Sequence, residues 1–279
     1  MSIRAWLGKP IFKAARNSFY QGENILNLDN FAPLDQVLSD RYFKRLGKLV
    51  GRAIGDFGMV RDGDSILVAL SGGKDSLAVV DFLIEKQRRS PVKFSLKAFH
   101  VAMNKGIAEG LKEFLRSRGI GFEVDYDALA GVDFSRRKNR CFLCSWNRRK
   151  AIFLAAKRNM CKVVAFGHNM DDIAQTALMN MCFQSSISAM SPKQFLFGGE
   201  ITIIRPLAYL RDYELSALAD KFCYPIAKRC EYENDNKRQM VKDFIAVLER
   251  DNPKINVAKN IFLSLNNINY EYLPKKIEG

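Results

Sequence analysis

Apolar residues are spaced in two ways along this chain, and the two alternate. Val37, Leu38, Tyr42, Leu46, Leu49, Val50 and Ile54 recur every three or four positions, which predicts a helix over about 36–57. Asp62-Gly63-Asp64 reads as a turn, and Ser65–Leu70 as a strand apolar enough to be covered on both faces. Further helices are expected at about 75–87, 105–118, 143–159 and 170–183, and strands at 93–101, 122–126, 162–166 and 201–204. Two more helices follow at about 211–222 and 237–250. Residues 1–35 read as irregular, and 252–279 carry no pattern that assigns them. Strands alternating with helices build an α/β fold: a Rossmann-like parallel sheet with helices on both faces and ligands at the carboxyl ends of the strands. The expected division is an N-terminal segment and helix over 1–57, a central α/β domain over 58–250 and a C-terminal extension over 251–279.

The first strand runs straight into a glycine turn and a helix, LVALSGGKDSLAVV, residues 67–80. Such a turn exposes backbone N–H groups at a helix N-terminus, where the dipole favours an anion. Gly72 and Gly73 let the backbone approach phosphate closely. Ser71 and Ser76 can donate hydroxyls, and Lys74 supplies charge. Asp75 is out of place in an anion site unless Mg²⁺ is held with the phosphates. A Walker A loop, G-x-x-x-x-G-K-S/T, needs a glycine at an offset where this chain has none, and the dinucleotide fingerprint G-x-G-x-x-G is also absent.

Charge adds a partner to this picture. The 279 residues carry a formal charge of +14, which suits a polyanion. The excess is clustered. From Phe134 to Met170 there is no acid, while Arg136, Arg137, Lys138, Arg140, Arg148, Arg149, Lys150, Lys157, Arg158 and Lys162 fall in that window. A solvated helix face is the plainer reading of Arg148, Arg149 and Lys150. The N-terminus MSIRAWLGKPIFKAARNSFY is basic too, and reads better as a surface segment than as a transit peptide. No apolar run approaches the length that spans a bilayer, so a soluble protein with no membrane partner is expected.

Six cysteines in a chain of this length do not make a secreted disulfide scaffold. Cys161, Cys182 and Cys223 lie in apolar runs and read as buried small hydrophobes. Cys141-Phe-Leu-Cys144 is different, because C-x-x-C brings two thiolates close enough to share a metal. There is no second C-x-x-C and there are only two histidines, so a structural zinc lacks ligands. Cys230 is a further thiol downstream. His100 reads as a core histidine inside its strand, and Asp171 as a cap for the helix that follows it.

The S-G-G-x-D-S turn after a strand resembles the pyrophosphate loop of the N-type ATP pyrophosphatases, the PP-loop, adenine nucleotide alpha hydrolase-like superfamily. The segments KLVGRAIGDFGMVRDGDSILVALSGGKDS, CFLCSWNRRKAIF, GHNMDDIAQTALMNM and IIRPL, in that order, resemble the tRNA 2-thiocytidine synthetase family over about residues 44–245. The resemblance implies that residues 58–250 form a PP-loop ATPase catalytic domain. It implies ATP phosphates and Mg²⁺ at Ser71, Gly72, Gly73, Lys74, Asp75 and Ser76, with Gly167 and His168 near the nucleotide. It implies a four-iron four-sulfur cluster on Cys141, Cys144 and Cys230, with Cys223 as the substitute third ligand. Asp75, Arg148 and Asp172 would serve the chemistry, in which the C2 oxygen of an anticodon-loop cytidine is adenylated and then replaced by sulfur. The implied partners are tRNA and a sulfur donor such as a cysteine desulfurase; a homodimer and a cytoplasmic location are consistent with them. The chain departs from the family at Ala102, where an acidic residue is usual, and around Cys230, whose loop is charged and asparagine-rich. A 2-thiouridine-type thiolase, another adenylating ligase or amidotransferase, and a tRNA-binding or nucleotide-sensing protein without catalysis remain the alternatives.

Overall fold

A computed structural model describes residues 31–102, 105–129, 140–226 and 236–273. These form two compact units. The first takes in the chain up to Asn169 together with 191–234, and the second takes in 170–190 and the chain from Asp235.

The first unit is a six-stranded sheet with strand order β3-β2-β1-β4-β6-β5. Its strands are β1 (Asp64–Leu70), β2 (Phe94–Val101), β3 (Gly121–Asp125), β4 (Val163–Ala165), β5 (Lys193–Leu196) and β6 (Ile201–Ile204). β1 pairs in parallel with β2 on one side and with β4 on the other, and β2–β3 and β4–β6 are also parallel. β5 runs antiparallel to β6 and was not legible as a strand. It is a short edge strand joined to β6 by a tight turn in which Phe197, Gly198 and Gly199 all take positive φ.

Successive residues of a strand face opposite sides, and β1 feeds two cores in this way. Ile66, Val68 and Leu70 join one cluster, while Leu67 and Ala69 join the other. The first cluster is covered by α1 (Leu34–Ser39), α2 (Arg41–Asp56), α3 (Lys74–Arg89), α4 (Lys105–Ser117) and α7 (Asp212–Lys221). The second is covered by α5 (Arg140–Arg158), through Ala151–Phe153, Ala155 and Ala156. The sheet therefore carries helices on both faces, as the alternating pattern predicts.

The helix expected over 36–57 is two helices. Asp40 is extended, and its carboxylate accepts the Tyr42 and Phe43 amides at 2.8 and 3.0 Å, so it caps α2 and ends α1. α3 is buried almost throughout, from Ser76 to Glu85. Phe82 stacks on Phe43 of α2 with ring centroids 4.5 Å apart, and Asp81 is locked into a buried ion pair. The Arg118 guanidinium donates to both Asp81 oxygens at 3.1 and 3.3 Å, and the Tyr224 hydroxyl donates to one of them at 2.8 Å. Three elements distant in sequence meet at that carboxylate.

The second unit packs α6 (Met170–Gln184), α8 (Asn236–Asp251) and α9 (Val257–Ser264) around Ala174, Val241, Ile245 and Ala258. α9 lies in the stretch whose pattern assigned nothing, and its start is set by Asn256, whose side-chain oxygen accepts the Lys259 amide at 2.9 Å. Among the described residues no helix is long and apolar enough to cross a membrane.

Candidate active site

The strand order reverses direction at β1 and β4, and the crevice beyond their carboxyl ends is where open α/β sheets hold ligands. Two segments of the first unit border it: Ser71–Gly73 after β1, and Phe166–Asn169 after β4.

The glycine turn is built by its own serines. Gly72 sits at φ +83°, in the left-handed region. Ser76 Oγ donates to the Gly73 carbonyl at 2.8 Å, and Ser71 Oγ accepts the Gly73 amide at 3.2 Å. The Ser71 amide donates to Ser76 Oγ at 3.3 Å. The two hydroxyls thus hold the loop's shape. Gly73 precedes the first residue of α3 and has no side chain to cap it, which suits a helix N-terminus meant for an anion.

Gly167 explains the second segment. A Cβ there would stand 2.8 Å from the Asp75 carbonyl carbon and the Ser76 amide nitrogen. Only glycine lets the chain after β4 lie directly on the turn where α3 begins. Its neighbour His168 is half-buried and stacks on Phe166 with centroids 5.7 Å apart. Asn169 follows, buried, with its side-chain amide 3.5 Å from Asp75 Oδ2.

The charges of the loop form a chain. Lys74 Nζ donates to Asp75 Oδ1 at 2.8 Å and to Asp212 Oδ1, in the first turn of α7, at 2.6 Å. Burial pulls the Lys74 ammonium down, but the charges of Asp75 and Asp212 and the bonds to them outweigh that and leave its pKa above the ordinary lysine value. His100 is buried at the end of β2. Its Nδ1 lies 2.9 Å from the Leu70 carbonyl and therefore carries the proton. Burial, aided by the positive charge of Arg148, lowers its pKa and keeps it neutral. The expected core histidine thus sits one residue from the phosphate turn. Arg205, from IIRPL, is buried at the end of β6, where its guanidinium donates to the Ser191 carbonyl; burial lowers its pKa to about 10.

Cys141 and Cys144 fall within the first five residues of α5, where an i, i+3 spacing puts the two positions on one helix face. Cys144 is half-buried. A cysteine near a helix N-terminus free of acids is of the residue type that ligates iron–sulfur groups. Cys230 lies outside the described residues. Among the described residues no three His, Cys, Asp or Glu side chains gather as a metal site. One turn further along α5, Arg148 is half-buried, Arg149 is exposed and bonded to Ser145, and Lys150 is buried. The three do not share one solvated face. Cys161 is buried as expected, but Cys182 and Cys223 are exposed. Cys223 follows the end of α7 at φ +50°, a turn position that turns its side chain out of the core.

Asp171 and Asp172 fall inside the first turn of α6, in the second unit, so Asp171 does not precede the helix as a cap. Asp172 Oδ1 pairs with Arg238 at 3.5 Å. Sequence reasoning overlooked Asn169 and Asp212. Asn169 adjoins the Gly-His pair that marks the segment, whereas nothing local distinguishes Asp212.

Residues 44–239 match the PP-loop domain family. A tRNA-cytidine(32) 2-sulfurtransferase from Cupriavidus pinatubonensis is 37% identical over 231 residues, 80% of this chain and 73% of that protein. The chain belongs to the PP-loop family, in its tRNA-cytidine(32) 2-sulfurtransferase branch. Another relative of that name, from Geobacter sulfurreducens, is 32% identical and is matched over 92% of its length by 83% of this chain. Among solved structures, the U34-tRNA thiolase NcsA from Methanococcus maripaludis, with its 4Fe-4S cluster, superposes with a TM-score of 0.67 over 85% of this chain and 81% of that one, at 24% identity. That likeness shows a shared fold, and Ser71–Ser76 lies within the residues matched to the PP-loop domain.

Proposed function

We propose that this protein is an ATP-dependent transferase that replaces the C2 oxygen of a tRNA cytidine with sulfur, acting in the cytoplasm. The observation that carries the reading is the junction of Gly167 with the Ser71–Ser76 turn. It leaves an uncapped helix N-terminus, a lysine and an acidic residue at one end of the sheet.

A pyrimidine C2 oxygen is a poor leaving group. Attack by that oxygen on the α-phosphorus of ATP releases pyrophosphate and leaves the oxygen bonded to AMP. Sulfur then bonds to C2 as the C–O bond breaks and AMP departs. The protein's share is positioning and charge. The backbone of Gly72 and Gly73, the hydroxyls of Ser71 and Ser76 and the Lys74 ammonium receive the leaving pyrophosphate. Asp75, held by Lys74 and Asn169, would hold Mg²⁺ against those phosphates. Gly167 keeps His168 beside the loop. Arg148, on the helix that bears the cysteines, would neutralise the adenylate or guide the target base, and Asp172 would aid Mg²⁺ binding or offset transition-state charge. Cys141, Cys144 and Cys230 would hold a four-iron four-sulfur cluster, which supplies a carrier for the sulfur to be transferred. Arg149 and its basic neighbours offer backbone affinity for tRNA, and the target base must leave its loop stack to reach the crevice. A sulfur donor of the cysteine desulfurase type and a homodimeric state complete the proposal.

The test is purification without oxygen, with iron and acid-labile sulfide measured in wild type and in a Cys144→Ala variant. The reading expects both elements in wild type and their loss in the variant. Wild-type protein free of iron would refute the cluster assignment.

A further inference from the structure

Lys74 is the one cation of the Ser71–Ser76 turn, and two carboxylates neutralise it. One belongs to the turn itself. The other, Asp212, comes from α7, and at 2.6 Å its bond to Nζ is shorter than that of Asp75 at 2.8 Å. The Lys74 side chain is mostly buried whereas that of Asp212 is 43% exposed, so the contact closes the outer side of the ammonium. Lysine with two carboxylates leaves a local charge of −1 where a polyanion must bind. Asp212 has its own support. It sits in the first turn of α7, where the dipole favours an acid, and that helix start is fixed independently by Glu214 accepting the Arg211 amide at 3.1 Å.

We propose that Asp212 is a positioning residue for the nucleotide, holding the Lys74 ammonium against α7 and competing with the phosphates for it. The proposal rests on the reading of Ser71–Ser76 as a phosphate loop. Asp212 is part-exposed in the first turn of α7, where the dipole favours its anion whether or not Lys74 is engaged with phosphate. A singly charged anion competes poorly with two carboxylates for the ammonium, while a triphosphate has charge enough to take it.

The test is calorimetric titration of inorganic pyrophosphate, without divalent metal, into the full-length protein and four variants: Asp212→Asn, Asp212→Glu, Lys74→Met and Asp212→Asn with Lys74→Met. Removing one charge beside the ammonium is expected to tighten pyrophosphate binding on the order of ten-fold in Asp212→Asn. Asp212→Glu should restore the wild-type value. In the Lys74→Met background the Asp212→Asn effect should vanish, because the coupling runs through the ammonium. Equal affinity of Asp212→Asn and wild type would overturn the proposal, as would an undiminished effect without Lys74. If wild type binds no pyrophosphate at all, the phosphate-loop reading fails and takes the proposal with it.

Discussion

Replacing Gly167 with alanine tests the geometry of the site without touching a charge. The added methyl would lie 2.8 Å from two backbone atoms of the α3 start, where ordinary contact begins at 3.4 Å. Neither neighbour is a flexible side chain that could swing away. The segment after β4 and the turn must separate by roughly half an ångström, and overpacking of this kind costs about 1–3 kcal/mol. The strain falls on the Ser71–Ser76 turn, which is proposed to hold the phosphates. If it is relieved by displacing that loop, ATP affinity drops by about 5- to 150-fold, the same free energy expressed as a binding ratio. If it is not, unfolding moves to lower urea by the equivalent amount. Calorimetric ATP titration and urea denaturation of Gly167→Ala would be read together. Gly55→Ala is the control, since a Cβ there meets nothing within 4 Å. Wild-type ATP affinity together with a wild-type unfolding midpoint in Gly167→Ala would refute the close approach.

Two further outcomes follow from buried groups. Arg118→Met leaves Asp81 a buried carboxylate without its counter-charge and should cost about 3–5 kcal/mol in urea unfolding, most of it recovered when Asp81→Asn is added; equal losses in the single and double variants would contradict the pairing. His100 has its pKa lowered by burial, so the unfolded chain binds its proton first as pH falls. The stability tied to its neutral form is complete above about pH 6.5 and declines as pH drops from there toward the folded pKa. His100→Asn should flatten the pH dependence of the melting temperature between about pH 7 and 5, and an unchanged slope would show that His100 is not the group responsible.

Much of the architecture could be read directly because helix and strand periods differ so plainly on either side of the glycine turn. Five strands are implied by short apolar-rich runs bounded by turns, and their alternation with helices implies a parallel sheet. β5 escaped because Lys193–Leu196 is a half-exposed edge strand, which needs no apolar run. The break at Asp40 escaped because α1 and α2 keep a common apolar spacing, while the capping carboxylate that separates them is one acid among many. Within the site, Ser71–Ser76 and Gly167 announce themselves through residue types that phosphate chemistry and close packing demand. Asp212 and Asn169 do not, because their role exists only once α7 and the segment after β4 have been folded onto the turn. Cys182 and Cys223 read as core residues on hydrophobic character alone, and that character says nothing about a left-handed turn or an exposed helix face.

The central claim is ATP-driven exchange of oxygen for sulfur on a tRNA cytidine. Its most direct test is an oxygen-free incubation of the protein with ATP, Mg²⁺, a sulfide source and tRNA from a strain lacking the gene. Nucleosides are then analysed by mass spectrometry, and nucleotides by chromatography. The account predicts 2-thiocytidine in that tRNA, with AMP and pyrophosphate formed alongside and both lost in Asp75→Asn. Unchanged cytidine, or ATP split to ADP and phosphate, would contradict it.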